Sequence, residues 1–166
     1  MERERPGEVK LEQGALERSE GDRVVFIGRI RSQWMDRSQT PKNLRQARER
    51  GPHEASVEVD EPFRPGLADL AGASHVILLT WMHRAERDVI RQLPRHAERP
   101  LGLFSLRSPA RPNPIGLEIV RLLDLDEDRG LLTVDATDCL DGTPLVDIKP
   151  YLPSIDAFPE AVPPRR

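Results

Sequence analysis

Three prolines set close together, Pro109, Pro112 and Pro114 in RSPARPNPIG (Arg107–Gly116), constrain this chain more than any other feature. Each fixes its own φ near about −65° and pushes the residue before it into extended backbone. No helix can run through such a stretch. It has to be a stiff loop, with Arg107, Arg111 and Asn113 held at defined angles, and the apolar segments on either side must be entered in extended form. A loop of this kind can simply join two strands. The same stiffness suits a site whose charged and hydrogen-bonding groups wait in place for a ligand. On the residues alone the two readings carry about equal weight.

The rest of the chain reads as strands. Arg23–Ile30 (RVVFIGRI) is β-branched and apolar, and Gly28 inside it marks a bulge or a close backbone approach. His53–Val59 alternates, with Ala55, Val57 and Val59 pointing one way. Ser74–Trp81 (SHVILLTW) is a continuous apolar run that suits a central strand. Leu101–Leu106, Gly116–Leu125 (Leu117 and Ile119 with alternating partners), Leu131–Thr137 and Leu145–Ile148 add more. Asp126–Gly130 (DEDRG) and Asp141-Gly142 supply turns. Helix is expected over Leu44–Arg50, after the break at Pro41, and over His83–Leu93 before Pro94, with a helical turn at Leu67–Leu70. Six or seven short strands, few helices and many Gly/Pro turns predict an all-β closed sheet or barrel with long loops. It spans residues 23–156, between a polar arm (1–22) able to add one edge strand and a Pro-rich tail (157–166).

Composition narrows the function. Aromatic content is 4%, so aliphatic side chains must build the core. The single cysteine, Cys139, excludes an intrachain disulfide framework. With no long apolar run and no signal-like start, the cytoplasm is the expected address. His53, His75, His83 and His96 lack ligand spacing, so no metal site is expected. Glycine-rich dinucleotide and phosphate loops, the nucleophile elbow and the HExxH zinc motif are all missing. A net charge of −3 gives no general attraction for nucleic acid, yet Arg29, Arg31, Arg37, Lys42, Arg45, Arg48 and Arg50 crowd one region, and Arg84, Arg87, Arg91, Arg95 and Arg99 another. They read equally as a basic face and as solvated surface charge.

The second chemical feature is Asp138-x-x-Asp141-Gly142-Thr143-Pro144. Turn preference alone accounts for Asp141 and Gly142. It accounts less well for Asp138, Asp147, Lys149 and Tyr151. A carboxylate held by loop backbone can bind ribose hydroxyls or a cationic ligand, or take a proton. Cys139 beside these acids reads as a packed small hydrophobe, its thiol pKa raised by the anionic setting.

RSPARPNPIGL (Arg107–Leu117) followed by DCLDGTPLVDIKPYLPSID (Asp138–Asp156) resembles the TsaA-like family, also called YaeB or VirR-like. Weaker likenesses at VVFIGRIRS, at Thr40-Pro41-Lys42-Asn43 and at SHVILLTWMHRA extend it over about Val24–Asp156. The resemblance implies a small single-sheet β-barrel that binds S-adenosyl-L-methionine, works as a homodimer and methylates N6 of threonylcarbamoyladenosine at position 37 of tRNA. By motif position it assigns the cofactor to Pro41, Lys42, Asn43, His83, Arg84, Arg107, Leu117, Asp135, Ala136, Thr137 and Asp138. Asp138 and Tyr151 are the expected catalytic residues. The chain stops soon after the second motif, a short form without the further C-terminal domain usual in the tRNA-methylating branch. With TPKNLRQARERG at Thr40–Gly51, this leaves two alternatives: another methyl acceptor, or a non-catalytic S-adenosyl-L-methionine-binding regulator.

Overall fold

Side-chain alternation builds the architecture. The computed structural model describes residues 9–10, 24–51, 55–95 and 97–164. In chain order the elements are β1 (Val9–Lys10), β2 (Gly28–Ser32), α1 (Leu44–Glu49), β3 (Ala55–Val59), β4 (His75–Trp81), β5 (Val89–Gln92), β6 (Leu101–Gly102), β7 (Ile115–Asp126), β8 (Leu131–Val134), β9 (Pro144–Pro150) and α2 (Pro153–Asp156). Six strands close into a barrel in the order β2-β3-β8-β7-β4-β9, each neighbouring pair antiparallel. Closure leaves none of the six with an open edge. The all-β barrel with short helices and long loops, expected from the sequence, is the fold.

The contacts divide the chain into two compact units. Val24–His83 with Ile115–Ala157 forms the barrel, and Arg84–Pro114 with residues 9–10 and 158–164 a smaller unit. In the barrel, β3 buries Ala55, Val57 and Val59, and β4 buries Val76, Leu78 and Thr80. With Ile30, Val120, Leu132, Val134, Cys139 and Leu145 these make an aliphatic interior. Each fully buried Val, Leu or Ile contributes roughly 1.5–3 kcal/mol. Gly28 faces Val59 across β2 and β3, and a Cβ there would run into the carbonyl oxygen of Glu58. That is the close backbone approach its place in a strand implied.

Several elements depart from the sequence reading. β2 starts at Gly28, not Arg23, because ladder partners on β3 and β9 begin there; Val24, Val25 and Phe26 stay exposed. The helical turn expected at Leu67–Leu70 is displaced to 3₁₀ turns at Glu61–Leu67 and Leu70–Gly72. β7 buries Glu118 and Val120, so Leu117 and Ile119 lie on its outer face. His53 and His96 fall outside the described residues, as does most of the 1–22 arm.

The smaller unit corrects one element type. His83–Leu93 is not a helix: Val89–Gln92 is a strand, paired with β6 and with β1. No N-cap side chain precedes the segment, and adjacent Val89-Ile90 favours extended backbone. A helix this short also gains too little from propensity alone to hold. The arm contributes its edge strand here, as Val9–Lys10. Leu101–Leu106 yields two strand residues before a 3₁₀ turn that buries Leu103 among Val89 and Ala110.

Candidate functional site

The stretch from Asp135 to Asp141 has almost no secondary structure, and side chains from across the barrel hold its backbone. On the β2 side, the Trp34 indole N–H donates to Thr137 O (2.9 Å) and the Ser32 hydroxyl to Cys139 O (2.8 Å). Asp141 N donates to Trp34 O (2.8 Å), and the Asp141 carboxylate accepts from Ser32 N (3.1 Å). Gly142 follows at φ 75°, the left-handed position the Asp-Gly turn requires. On the β7 side, Asp135 Oδ1 accepts from Arg121 N (2.8 Å). The segment is preorganised.

Glu118 anchors the middle of it. Its side chain points into the barrel and is 3% exposed. Asp138 N donates to Oε1 (2.8 Å), and the Thr137 hydroxyl donates to Oε2 (2.8 Å). Cys139 N donates in turn to the Thr137 hydroxyl oxygen (3.1 Å), and the Cys139 thiol lies 3.6 Å from Oε2. Burial first, then the Asp138 carboxylate beside it, push the Glu118 carboxyl up to about 8. Burial, with Glu118 and Asp138, likewise pushes up the Cys139 thiol, the direction expected from its acidic setting. Cys139 is packed in the core, a setting in which a thiol is a poor nucleophile. Ligand-type atoms of Glu118, Asp138 and Cys139 lie within 4.8 Å of one another. Neutral donors already occupy both Glu118 oxygens.

Beside the segment a cleft of about 510 Å³ is lined by Arg48, His75, Ile119, Arg121, Asp135 and Tyr151. His75 and Arg121 are ladder partners, and Tyr151 N donates to His75 O (3.1 Å), which brings the two rings to 6.2 Å. Arg48 Nε donates to Asp135 Oδ2 (2.7 Å) and its Nη2 to Ile119 O (3.1 Å). Partial burial opposes ionisation of Asp135, but the bonds from Arg48 and from Arg121 N prevail and lower its pKa. Arg48 stands on α1, whose N-cap is Asn43: its side chain accepts from Gln46 N (2.9 Å), while Gln46 reaches back to Lys42 N (2.6 Å).

The residues expected at the site fall into groups. Asp135 and Tyr151 share the cleft, and Asn43 supports it through α1 and Arg48. Thr137 and Asp138 meet at Glu118, next to the exposed Leu117. Ala136 and Pro41 are buried packing positions, and Lys42 is exposed. His83, exposed just after β4, does not line the cleft. Arg84 and Arg107 belong to the smaller unit, both exposed. In that unit Arg111 is a strut, donating to Leu106 O (2.7 Å) and Leu103 O (3.3 Å), and Arg87 donates to Pro112 O (2.8 Å). Glu118, Trp34 and Ser32 were missed. A charged residue at an inward position of a strand is the one signal that could have exposed Glu118.

The family model for the tRNA-methyltransferase O N-terminal domain matches residues 29–157, spanning every one of these barrel groups. The chain belongs to that family. A tRNA-methyltransferase O (TrmO) crystal structure from Pseudomonas aeruginosa is similar over 87% of this chain and 61% of that one, with TM-score 0.69 and 35% identity. An Archaeoglobus fulgidus protein named a probable S-adenosyl-L-methionine-binding protein is 42% identical over 135 residues, 81% of this chain. This chain spans only 35% of that relative's length. An Eikenella corrodens protein named tRNA (adenine(37)-N6)-methyltransferase is 48% identical over 66 residues, 39% of this chain and 38% of its own. Among the described residues no helix is long and apolar enough to cross a membrane.

Proposed function

We propose that this TrmO-family domain binds S-adenosyl-L-methionine and transfers its methyl group to N6 of threonylcarbamoyladenosine at position 37 of tRNA. One observation carries the reading: the clamped segment Asp135–Asp141 runs directly into the DGTP motif of a family whose relatives are named for binding this cofactor and for methylating adenine 37.

The donor set fits the cofactor. Half-buried carboxylates at Asp135 and Asp138 suit ribose hydroxyls and an ammonium group, and Leu117 offers exposed apolar surface for a base. By motif position the barrel adds Pro41, Lys42, Asn43, His83, Ala136 and Thr137 to these. Bound there, S-adenosyl-L-methionine supplies an electrophilic methyl on a sulfonium. Little beyond in-line placement is asked of the protein for such a transfer. An adenine N6 carrying a carbonyl substituent is a weak nucleophile until its proton leaves. The Asp138 carboxylate accepts that proton, and the Tyr151 ring, beside His75, orients the base. Arg121, exposed at the same cleft, meets phosphate. The domain works in the cytoplasm as a homodimer, for which Ile115 and Leu123, exposed on β7, supply apolar area.

Labelled methyl incorporation into tRNA carrying threonylcarbamoyladenosine, against the same tRNA unmodified, tests the reading. Incorporation only into the modified tRNA is expected. Cofactor heat in calorimetry with no incorporation into either would move the function to another acceptor or to a cofactor-sensing regulator. No cofactor heat at high micromolar concentration would overturn it.

A further inference from the structure

Among the described residues no cation hydrogen-bonds the buried Glu118 carboxyl, and that has to be accounted for. From the Asp135–Asp141 segment Glu118 faces Thr137, Asp138 and the Cys139 thiol; from β4, the Thr80 hydroxyl stands 3.8 Å from that thiol. Its one charged neighbour in this set is the Asp138 carboxylate, which brings an oxygen within 4.8 Å of it. Two carboxyl groups this close cannot both ionise cheaply out of water, so one proton stays between them, on the more buried group.

We propose that Glu118 is the positioning residue of the site: as a neutral acid it gives its hydrogen bond to the carboxylate of Asp138, and its remaining lone pairs hold the turn on which that carboxylate stands. The use made of Asp138 rests on the function proposed above; the pairing does not. The geometry divides the work between the two oxygens. One accepts Asp138 N, fixing the backbone, and the hydroxyl of Thr137 steadies the other while itself accepting Cys139 N. Asp138 is thereby kept anionic and aimed through neutral pH. When Glu118 loses its proton, two charges stand side by side and the turn loosens, so the site fails on the alkaline side. The thiol of Cys139 is pushed up as well, so it does not take over as the buried acid at neutral pH.

Glutamine is the decisive substitution. In Glu118→Gln the amide oxygen still accepts Asp138 N and the amide NH₂ still donates to the Asp138 carboxylate, a permanent copy of the neutral acid. Glu118→Ala removes both bonds. Carbon-detected NMR of the full, ligand-free chain should show the Glu118 carboxyl titrating in the alkaline range, with the Asp138 amide signal moving at the same midpoint. In Glu118→Gln that amide signal should stay still across the same range. Cofactor affinity should fall roughly tenfold across that range in the wild type and stay level in Glu118→Gln. Titration of Glu118 in the ordinary carboxylate range would overturn the proposal. So would a Glu118→Gln chain whose Asp138 amide still titrates, a result that stands even if Glu118→Ala does not fold. If the paired titration is seen and no cofactor binds, the proposed function falls while the pairing holds.

Discussion

Folding stability should fall as pH rises through a range where most proteins are indifferent, and Glu118 is the reason. Its folded pKa, near 8, lies above its ordinary value of 4.5. Between those values the folded chain keeps a proton that the unfolded chain releases, so stability drops with rising pH. The stabilising share is fully present below about pH 4.5, is lost as pH climbs through about 8, and is constant beyond. Each pH unit in the window removes up to about 1.4 kcal/mol. The whole window sets a ceiling on the order of 5 kcal/mol, and sharing of the proton with Asp138 lowers it, so a loss of about 3–4 kcal/mol between pH 5 and 8.5 is expected. Asp135 works in the opposite sense, with stability lost only as pH falls through its lowered pKa at the acid end. Urea unfolding at fixed pH values, run on wild type and Glu118→Gln, isolates the effect as the difference between the two slopes. Parallel curves would refute the reasoning, because they would mean that the buried carboxyl is already ionised at neutral pH.

Three further substitutions probe the clamp and the barrel. Trp34→Phe leaves the Thr137 carbonyl without its indole donor and should cost about 1–3 kcal/mol in urea unfolding; a loss within error would mean that water replaces the bond. Gly28→Ala drives a Cβ into the Glu58 carbonyl, backbone that cannot swing aside, and should lower stability by about 1–3 kcal/mol or prevent folding; an unchanged Tm would show that the close approach is relaxed in solution. Asp135→Asn keeps an acceptor for Arg121 N but weakens the half-exposed bond to Arg48, so a modest loss of roughly 0.5–1 kcal/mol is expected, with faster amide exchange in α1. Unaltered exchange there would show that α1 docks without Arg48.

What the sequence revealed and what it hid separate along physical lines. β3 and β4 were legible because their buried positions are apolar and close-spaced, Val57 and Val59 in one, Val76 and Leu78 in the other. β7 was legible as a strand but not in its facing. Leu117, Ile119, Val120 and Leu122 put apolar residues on both sides, and hydrophobicity alone cannot choose between them. The facing is decided by partners remote in sequence: β4 pairing along one edge, and Thr137 with Asp138 waiting for Glu118. β5 failed for a related reason, since its strand state comes from pairing with β1 and β6, and a local pattern cannot contain that pairing.

The candidate site was half visible on the same grounds. Asp135, Thr137, Asp138 and Tyr151 came forward through the motif that carries them. The groups that hold them, Ser32, Trp34, Arg48 and Glu118, are ordinary residues until closure of the barrel sets β2 and β7 on either side of the Asp135–Asp141 segment. Burying a carboxyl in an otherwise aliphatic barrel costs stability, and an apolar residue of similar volume at position 118 would pack without that cost. Such a substitution would also release Asp138 N and the Thr137 hydroxyl, both of which bond to Glu118. A barrel selected only for stability has no use for this arrangement. One that uses Asp138 as proposed above, charged and at a fixed angle, does.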